Sequence, residues 1–306
     1  MSPNSQLQPP LLDHLILFLP PSPTTSFPLI PPSLTTAFTL TPGGRHADNF
    51  SSNTLILLSD GCYIELICFL PPSASNLSTH WWGPDPNRRG WTDWCLTTLP
   101  PTTSDENYER IKSTHVQPVR GGRKRPDGQH VKWAVTFPHG DNGGQAIRGK
   151  VPFFCHDETP RELRVPMTGD STTHSCKAVG VKELTVVVKG TQELFSLSAV
   201  YEGILGTAAR GVRTKEEVEN QVVFEIARVK EVEVLAEGPR VVLRVPRNED
   251  EEERVREKGF WFGDVVLAVK VEDGDDVGRK ERVDGGRDDV GGLWIEYVGV
   301  GSSARL

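Results

Sequence analysis

The stretch NTLILLSDGCYIELICF, residues 53–69, decides the fold. Two apolar, β-branched runs, 53–58 and 62–69, flank Ser59-Asp60-Gly61, and Asp-Gly between such runs is a hairpin turn signature. Period-two alternation in the second run puts Tyr63, Glu65 and Ile67 on one face. A carboxylate there is either solvent-facing, as on the wet side of an antiparallel sheet, or buried and then paired, hydrogen-bonded or metal-bound.

Working outward, 38–41 reads as a strand that ends in the turn Pro42-Gly43-Gly44, and 12–19 as a short strand. Six prolines between 20 and 36 forbid a long helix there. Downstream, 91–99 is a strand, and 105–111 a short helix with Ser104 as N-cap. Residues 125–128 form a turn, 131–137 an alternating strand, 140–149 a flexible loop and 151–155 a further strand. The order strand, connector, strand, hairpin thus occurs twice, over about 12–70 and about 91–157. A third unit begins with a strand at 184–188 and a helix at 192–205. Strands at 222–227, 232–235, 241–245, 265–271 and 293–298 follow, with a charged helix or solvated loop at 249–258. Residues 1–10 read as a disordered lead. Residues 272–290 hold too little apolar surface to order themselves.

His14 lies inside an apolar strand, where it is either a core imidazole bonded to backbone or a ligand. Composition bounds the function classes. Among 306 residues, 34 Lys+Arg against 41 Asp+Glu give −7, which argues against general nucleic-acid binding. Gly and Pro are abundant, which favours a β-rich chain over a helix bundle. No apolar run approaches the roughly 20 residues a bilayer needs. Five cysteines, an odd number without a CxxC pair, read as free thiols in a reducing cytoplasm. Serine-hydrolase, P-loop and Rossmann motifs are absent.

The ordered combination LDHLIL (12–17), FTLTPGG (38–44), NTLI (53–56), DG (60–61) and YIEL (63–66) resembles the glyoxalase-like domain of the vicinal oxygen chelate superfamily. RPDG (125–128), Trp133, VPFF (151–154) and TPRELRVP (159–166) extend the resemblance. It implies an α+β fold in which paired βαβββ modules form a cupped, barrel-like mixed sheet over 11–170, with an additional C-terminal α+β unit over 171–306. Each module gives the cup one metal ligand from its first strand and one from its last. Carried over, these are His14 and Glu65, then Asp93 in WTDWC (91–95) and His156 in FFCH (153–156). A one-residue shift replaces His156 by Cys155. The proline-rich connector and Asp93 depart from the family pattern.

One imidazole with carboxylates suits Zn, Ni, Fe, Mn or Mg, and two imidazoles with a carboxylate resemble the facial arrangement of non-haem iron sites. Glu65, if released from the metal, is the candidate general base. Trp94 and Trp133 are candidates for an apolar binding wall, with ordinary packing the alternative. Arg125 and the pair Arg88-Arg89 are candidates to hold an anion, with solvated turns the alternative. His46 and His174 are ligands only in another register. Three functions follow: a metal-dependent lyase, isomerase or dioxygenase; a metal-free small-molecule binder; and a scaffold whose C-terminal unit binds protein.

Overall fold

The computed structural model describes residues 9–70, 77–125, 128–206, 220–233, 235, 237–272, 276–286 and 290–299. Two sheets make up the molecule. The first contains β1 (Leu11–Phe18), β2 (Thr41–Arg45), β3 (Ser51–Leu57), β4 (Tyr63–Phe69), β5 (Gly90–Thr97), β6 (Val119–Lys124), β7 (His130–Thr136) and β8 (Phe153–Asp157), in the order β2-β3-β4-β1-β5-β8-β7-β6. β1 and β5 are antiparallel at the centre. β4 runs parallel to β1, and β8 parallel to β5. Each half is thus a central strand with a three-strand wing.

The second sheet contains β9 (Ala178–Val188), β10 (Gln221–Glu225), β12 (Arg240–Arg244), β13 (Phe260–Val271), β14 (Lys280–Arg282) and β15 (Leu293–Gly299), in the order β10-β12-β9-β13-β15-β14. β9 and β13 are antiparallel, with β12 and β15 parallel to them. The C-terminal unit therefore repeats the plan of the first sheet with two-strand wings. The short β11 (Ala227–Arg228) leaves this sheet and pairs with β1.

The helices are α1 (Pro32–Ala37), α2 (Ser104–Ile111), α3 (Arg161–Arg164), α4 (Thr191–Leu205) and α5 (Glu249–Lys258). β1 is buried along its whole length because both of its faces are covered. Leu15 and Leu17 join Trp94 and Leu96 of β5 in a core shared with Val186, Leu267 and the α4 residues Leu194, Leu197 and Tyr201. Ile16 and Phe18 face the other way, into the cup, beside Ile67, Phe69, Phe137 and Phe153.

Several elements differ from the sequence reading. Residues 42–45 continue β2 instead of turning. A Cβ on Gly43 would meet Asn53 Oδ1 at 1.9 Å, so the glycine serves close strand approach. The N-cap of α2 is Thr103, one residue earlier, because Glu106 completes a capping box with it. β6 was concealed by Gly121-Gly122. Residues 140–149 hold two 3₁₀ turns, Gly140–Asn142 and Gln145–Ile147. Of the expected strand at 232–235, the described residues 232, 233 and 235 are not in a strand. Within 272–290, β14 is ordered and Asp284 is fully buried, accepting bonds from Arg282, Gly286 N and Leu293 N. This carboxylate, the fully buried Val290 and Val283 packed against the core order the described part of the stretch. Residues 273–275 and 287–289 of that stretch, and 1–8 of the lead, lie outside the described residues.

Candidate functional site

The β1–β4 register sets Ile16 beside Glu65 and His14 beside Tyr63, so both polar side chains project from one face of the sheet. His14 Nε2 lies 3.8 Å from Glu65 Oε2. The His14 ring stacks on Tyr63 at 4.7 Å and meets the Phe153 ring edge-on at 5.4 Å. Its other nitrogen, Nδ1, is 2.7 Å from Asp13 Oδ2. A register irregularity in the β1–β5 pairing between Leu12 and His14 accompanies this adjacency.

His46 completes the group. It follows β2, at the tip where the chain returns into β3, and its Nε2 lies 3.1 Å from Glu65 Oε1. Its Nδ1 is 2.6 Å from Ser51 Oγ. Asn53 is fixed by its own backbone neighbour. Gly44 N donates to Asn53 Oδ1 at 2.9 Å, which turns Nδ2 to donate to Glu65 Oε1 at 2.6 Å. The two Glu65 oxygens thus face two imidazoles.

Electrostatics fix the charge state. Burial alone would raise the Glu65 carboxyl, but the His46 bond and charge, the His14 charge and the Asn53 amide outweigh it and bring it down to about 2. Asp13 is likewise buried, yet Arg161, Arg164 and His14 hold it well below the usual carboxylate range. Arg164 Nη1 donates to Asp13 Oδ2 at 3.0 Å and to Tyr63 Oη at 2.8 Å, while its Nε donates to Asp157 at 2.6 Å. Arg161 also pairs with Asp13.

These groups border a cavity of about 240 Å³ whose apolar wall includes Tyr63, Trp81, Trp133, Val135, Phe137 and Phe153. Arg120, Arg123 and Arg164 also border it, as do His80 and Asp48, whose Nε2 and Oδ2 are 3.4 Å apart.

Of the expected ligands, the structure brings His14 and Glu65 together and leaves two apart. Asp93 sits on the cup face opposite Ile16, but it is sealed beneath Trp82, whose Nε1 donates to it at 3.1 Å. Burial pushes its carboxyl up to about 6. His156 points away from the cup, with its ring parallel to Phe154 at 5.9 Å. Neither of its nitrogens has a hydrogen-bond partner, and burial lowers it to about 4. Cys155, one residue earlier, borders the cavity instead. Trp133 lines the cavity. Trp94 does not: it is fully buried on the opposite face, against Tyr201 at 5.8 Å. Arg125 donates to Leu163 O at 3.1 Å and forms no part of the cavity wall. His174 is held by Leu57 O and Thr39 N outside the cup.

Asn53, Asp13 and Arg164 are absent from the sequence reading as site residues, and His46 enters it only as a ligand in another register. The available signals were the polar Asn53 on the Leu55 face and the close His46–Asn53 spacing. Among the described residues, the His/Cys/Asp/Glu group whose ligand atoms all lie within 4.8 Å of one another is Asp13, His14 and Cys95. It suits a cation poorly. Two guanidinium groups already neutralise Asp13, and burial pushes the Cys95 thiol well up. The Nε2 side of His14 offers an ionised carboxylate and a second imidazole, each backed by a hydrogen bond, as metal-binding groups require.

The central antiparallel pair with a parallel neighbour on each side, curled around a polar centre, defines the cupped sheet of the vicinal oxygen chelate superfamily. Residues 12–200 match the glyoxalase-like domain, and the chain belongs to that family. No curated protein matches it in sequence. Among solved structures, a hypothetical protein from Staphylococcus aureus is similar at TM-score 0.63 and 14% identity, covering 94% of this chain and 99% of that one. A mutant of 4-hydroxymandelate synthase from Streptomyces coelicolor is similar at TM-score 0.53 and 12% identity, covering 97% and 94%. A xylose isomerase-like TIM barrel/4-hydroxyphenylpyruvate dioxygenase fusion protein is similar at TM-score 0.51 and 10% identity, covering 99% of this chain and 51% of that one. At these identities the likeness is one of fold. No helix among the described residues is long and apolar enough to cross a membrane.

Proposed function

We propose that the N-terminal cup holds a divalent metal ion through His14 Nε2, His46 Nε2 and the Glu65 carboxylate, and acts on a small, largely apolar molecule that presents two adjacent oxygens. The observation that carries this reading is that the two imidazole nitrogens lie 3.8 and 3.1 Å from opposite oxygens of one ionised, buried carboxylate. When bound, the ion supplies Lewis-acid stabilisation of negative charge developing on the substrate oxygens.

The protein's own groups do the rest. Asp13 takes the Nδ1 proton of His14 as a hydrogen bond, which leaves the Nε2 lone pair directed into the cup. Ser51 does the corresponding work at His46, and Asn53 holds one Glu65 oxygen. Trp81, Trp133 and Phe137 exclude water and give a flat apolar substrate its contact area. Arg123 borders the cavity without an ion pair among the described residues, so it suits an anionic end of the substrate. His80 Nε2, facing Asp48, is the group placed to hold a proton at the wall.

Two imidazoles and a carboxylate suit iron, manganese, zinc or nickel, and with iron they suit oxygenase chemistry. That donor set around iron is what favours the oxygenase form over the lyase or isomerase form. The five cysteines, all free thiols, support a cytoplasmic setting.

Titration calorimetry of chelator-treated protein with Mn²⁺, Co²⁺ and Zn²⁺ tests the reading. One equivalent is expected, weakened by at least about 100-fold in His14→Ala and His46→Ala. A second reading, metal-free ligand binding, draws on the Asn53 bond that already satisfies Glu65. It takes over if the wild-type protein binds no metal.

A further inference from the structure

A second cavity, of about 340 Å³, opens between the loop before β5, the end of α5 and the start of β13. Arg88, Arg89, Arg148 and Lys258 line it against a single carboxylate, Asp85, a local excess of three positive charges in a chain of net charge −7. None of the three arginines makes an ion pair among the described residues. Instead, backbone carbonyls fix their stems. Arg88 Nη2 donates to Gly83 O and Gln145 O at 3.2 Å, Arg89 Nη1 to Arg88 O at 2.6 Å, and Arg148 Nε to Trp81 O at 3.1 Å. Arg88 Nε is buried with no hydrogen-bond partner among the described residues. Asp85 and the buried Asp93 offset part of this charge without forming an ion pair, and the partly desolvated remainder is costly unless an anion joins it. Trp91, Trp261 and Phe262 supply flat apolar walls beside the charges.

We propose that this cavity binds a phosphomonoester carrying a flat ring, its phosphoryl group among Arg88, Arg89 and Arg148 and its ring against the tryptophans. A phosphoryl dianion matches the three-charge excess better than a single carboxylate, and planar guanidinium forks bind its oxygens bidentately. The proposal is independent of the metal reading, because the cavity shares no lining residue with the cup. It does touch the cup indirectly. The Arg148 guanidinium lies 4.1 Å over the Phe137 ring, which lines the first cavity.

Calorimetry with inorganic phosphate, phenyl phosphate and benzoate, at matched ionic strength, tests it. Phenyl phosphate is expected to bind saturably and more tightly than inorganic phosphate, with benzoate weakest. Arg88→Gln/Arg89→Gln should weaken phenyl phosphate by about tenfold or more, and Lys258→Gln, at the exposed rim, by a few-fold, as loss of charge-assisted bonds requires. Glu65→Gln, outside this cavity, should leave phenyl phosphate affinity as in wild type. The proposal is overturned if no phosphate compound binds saturably, if benzoate binds as well as phenyl phosphate, or if both cavity variants bind like wild type. It is equally overturned if Glu65→Gln abolishes binding, since the anion would then sit in the cup. Should the double variant fail to fold, Lys258→Gln and Arg89→Gln alone decide the outcome.

Discussion

The two sheets share one strand plan and put it to different use. In the first, the polar groups at the centre are buried and converge: Glu65 is 5% exposed and His14 4%. In the second, the polar groups pair off instead of converging, one pair partly exposed and the other, Arg244 with Glu251 of α5, largely buried. Arg240 meets Glu183 at 3.1 Å with side chains 34% and 20% exposed, and Arg244 forms a two-pronged bond to Glu251 at 2.6 and 2.7 Å. The difference traces to the wings. The outermost strand of one first-sheet wing, β2, carries the chain to His46 over the centre, and the outermost strand of the other, β6, brings Arg120 and Arg123 to the same cavity. Among the described residues, the second sheet has one strand fewer in each wing. A cupped sheet becomes a candidate site when an outer strand reaches back over its centre.

The largest expected effect lies in the ion network behind His14. Arg164→Ala leaves Asp157 and the fully buried Asp13 with Arg161 as their one remaining guanidinium partner among the described residues. A loss of about 3–5 kcal/mol in chemical denaturation is expected, as for a broken buried pair. A loss below about 1 kcal/mol would make the two sheets equivalent and break the comparison. Next comes Asn53→Ala, which should weaken metal affinity by about 10–100-fold through Glu65 alone, while Glu183→Gln in the second sheet leaves it unchanged.

His156 sharpens the contrast within the first sheet. Its folded-state value of about 4 lies below the ordinary 6.5. The unfolded chain therefore takes up a proton first as pH falls, so this residue costs no stability above 6.5 and a growing amount down to pH 4. His156→Leu should flatten the stability profile over that window, by up to about 3 kcal/mol at its acid end. It should leave metal binding intact, whereas loss of the metal would restore His156 to the ligand set. The smallest effect belongs to the second sheet. Arg240→Ala should cost no more than about 1 kcal/mol, since its pair is partly exposed.

What the sequence disclosed follows from the range of each signal. The β3–β4 hairpin was legible because Asp60-Gly61 and the flanking apolar runs are local, while His14 and Glu65 were set in one site only by the family resemblance. Trp94 and His156 were misplaced by strand parity, since a shift of one residue moves a side chain to the opposite face. Cys155, next to His156, and Asp93, next to Trp94, occupy the cup face. His46 was obscured because Pro42-Gly43-Gly44 has turn composition, while the actual reason for glycine there is the Asn53 amide. The Asp13–Arg164 pair joins residues 151 apart in the chain, and no local pattern reports it.

The most direct test of the central claim is an anomalous-scattering map from crystals soaked in Mn²⁺ or Co²⁺. The account predicts one strong peak within coordination reach of His14 Nε2, His46 Nε2 and Glu65. A map with no peak there, or with its peak beside Asp13, His14 Nδ1 and Cys95, would contradict it.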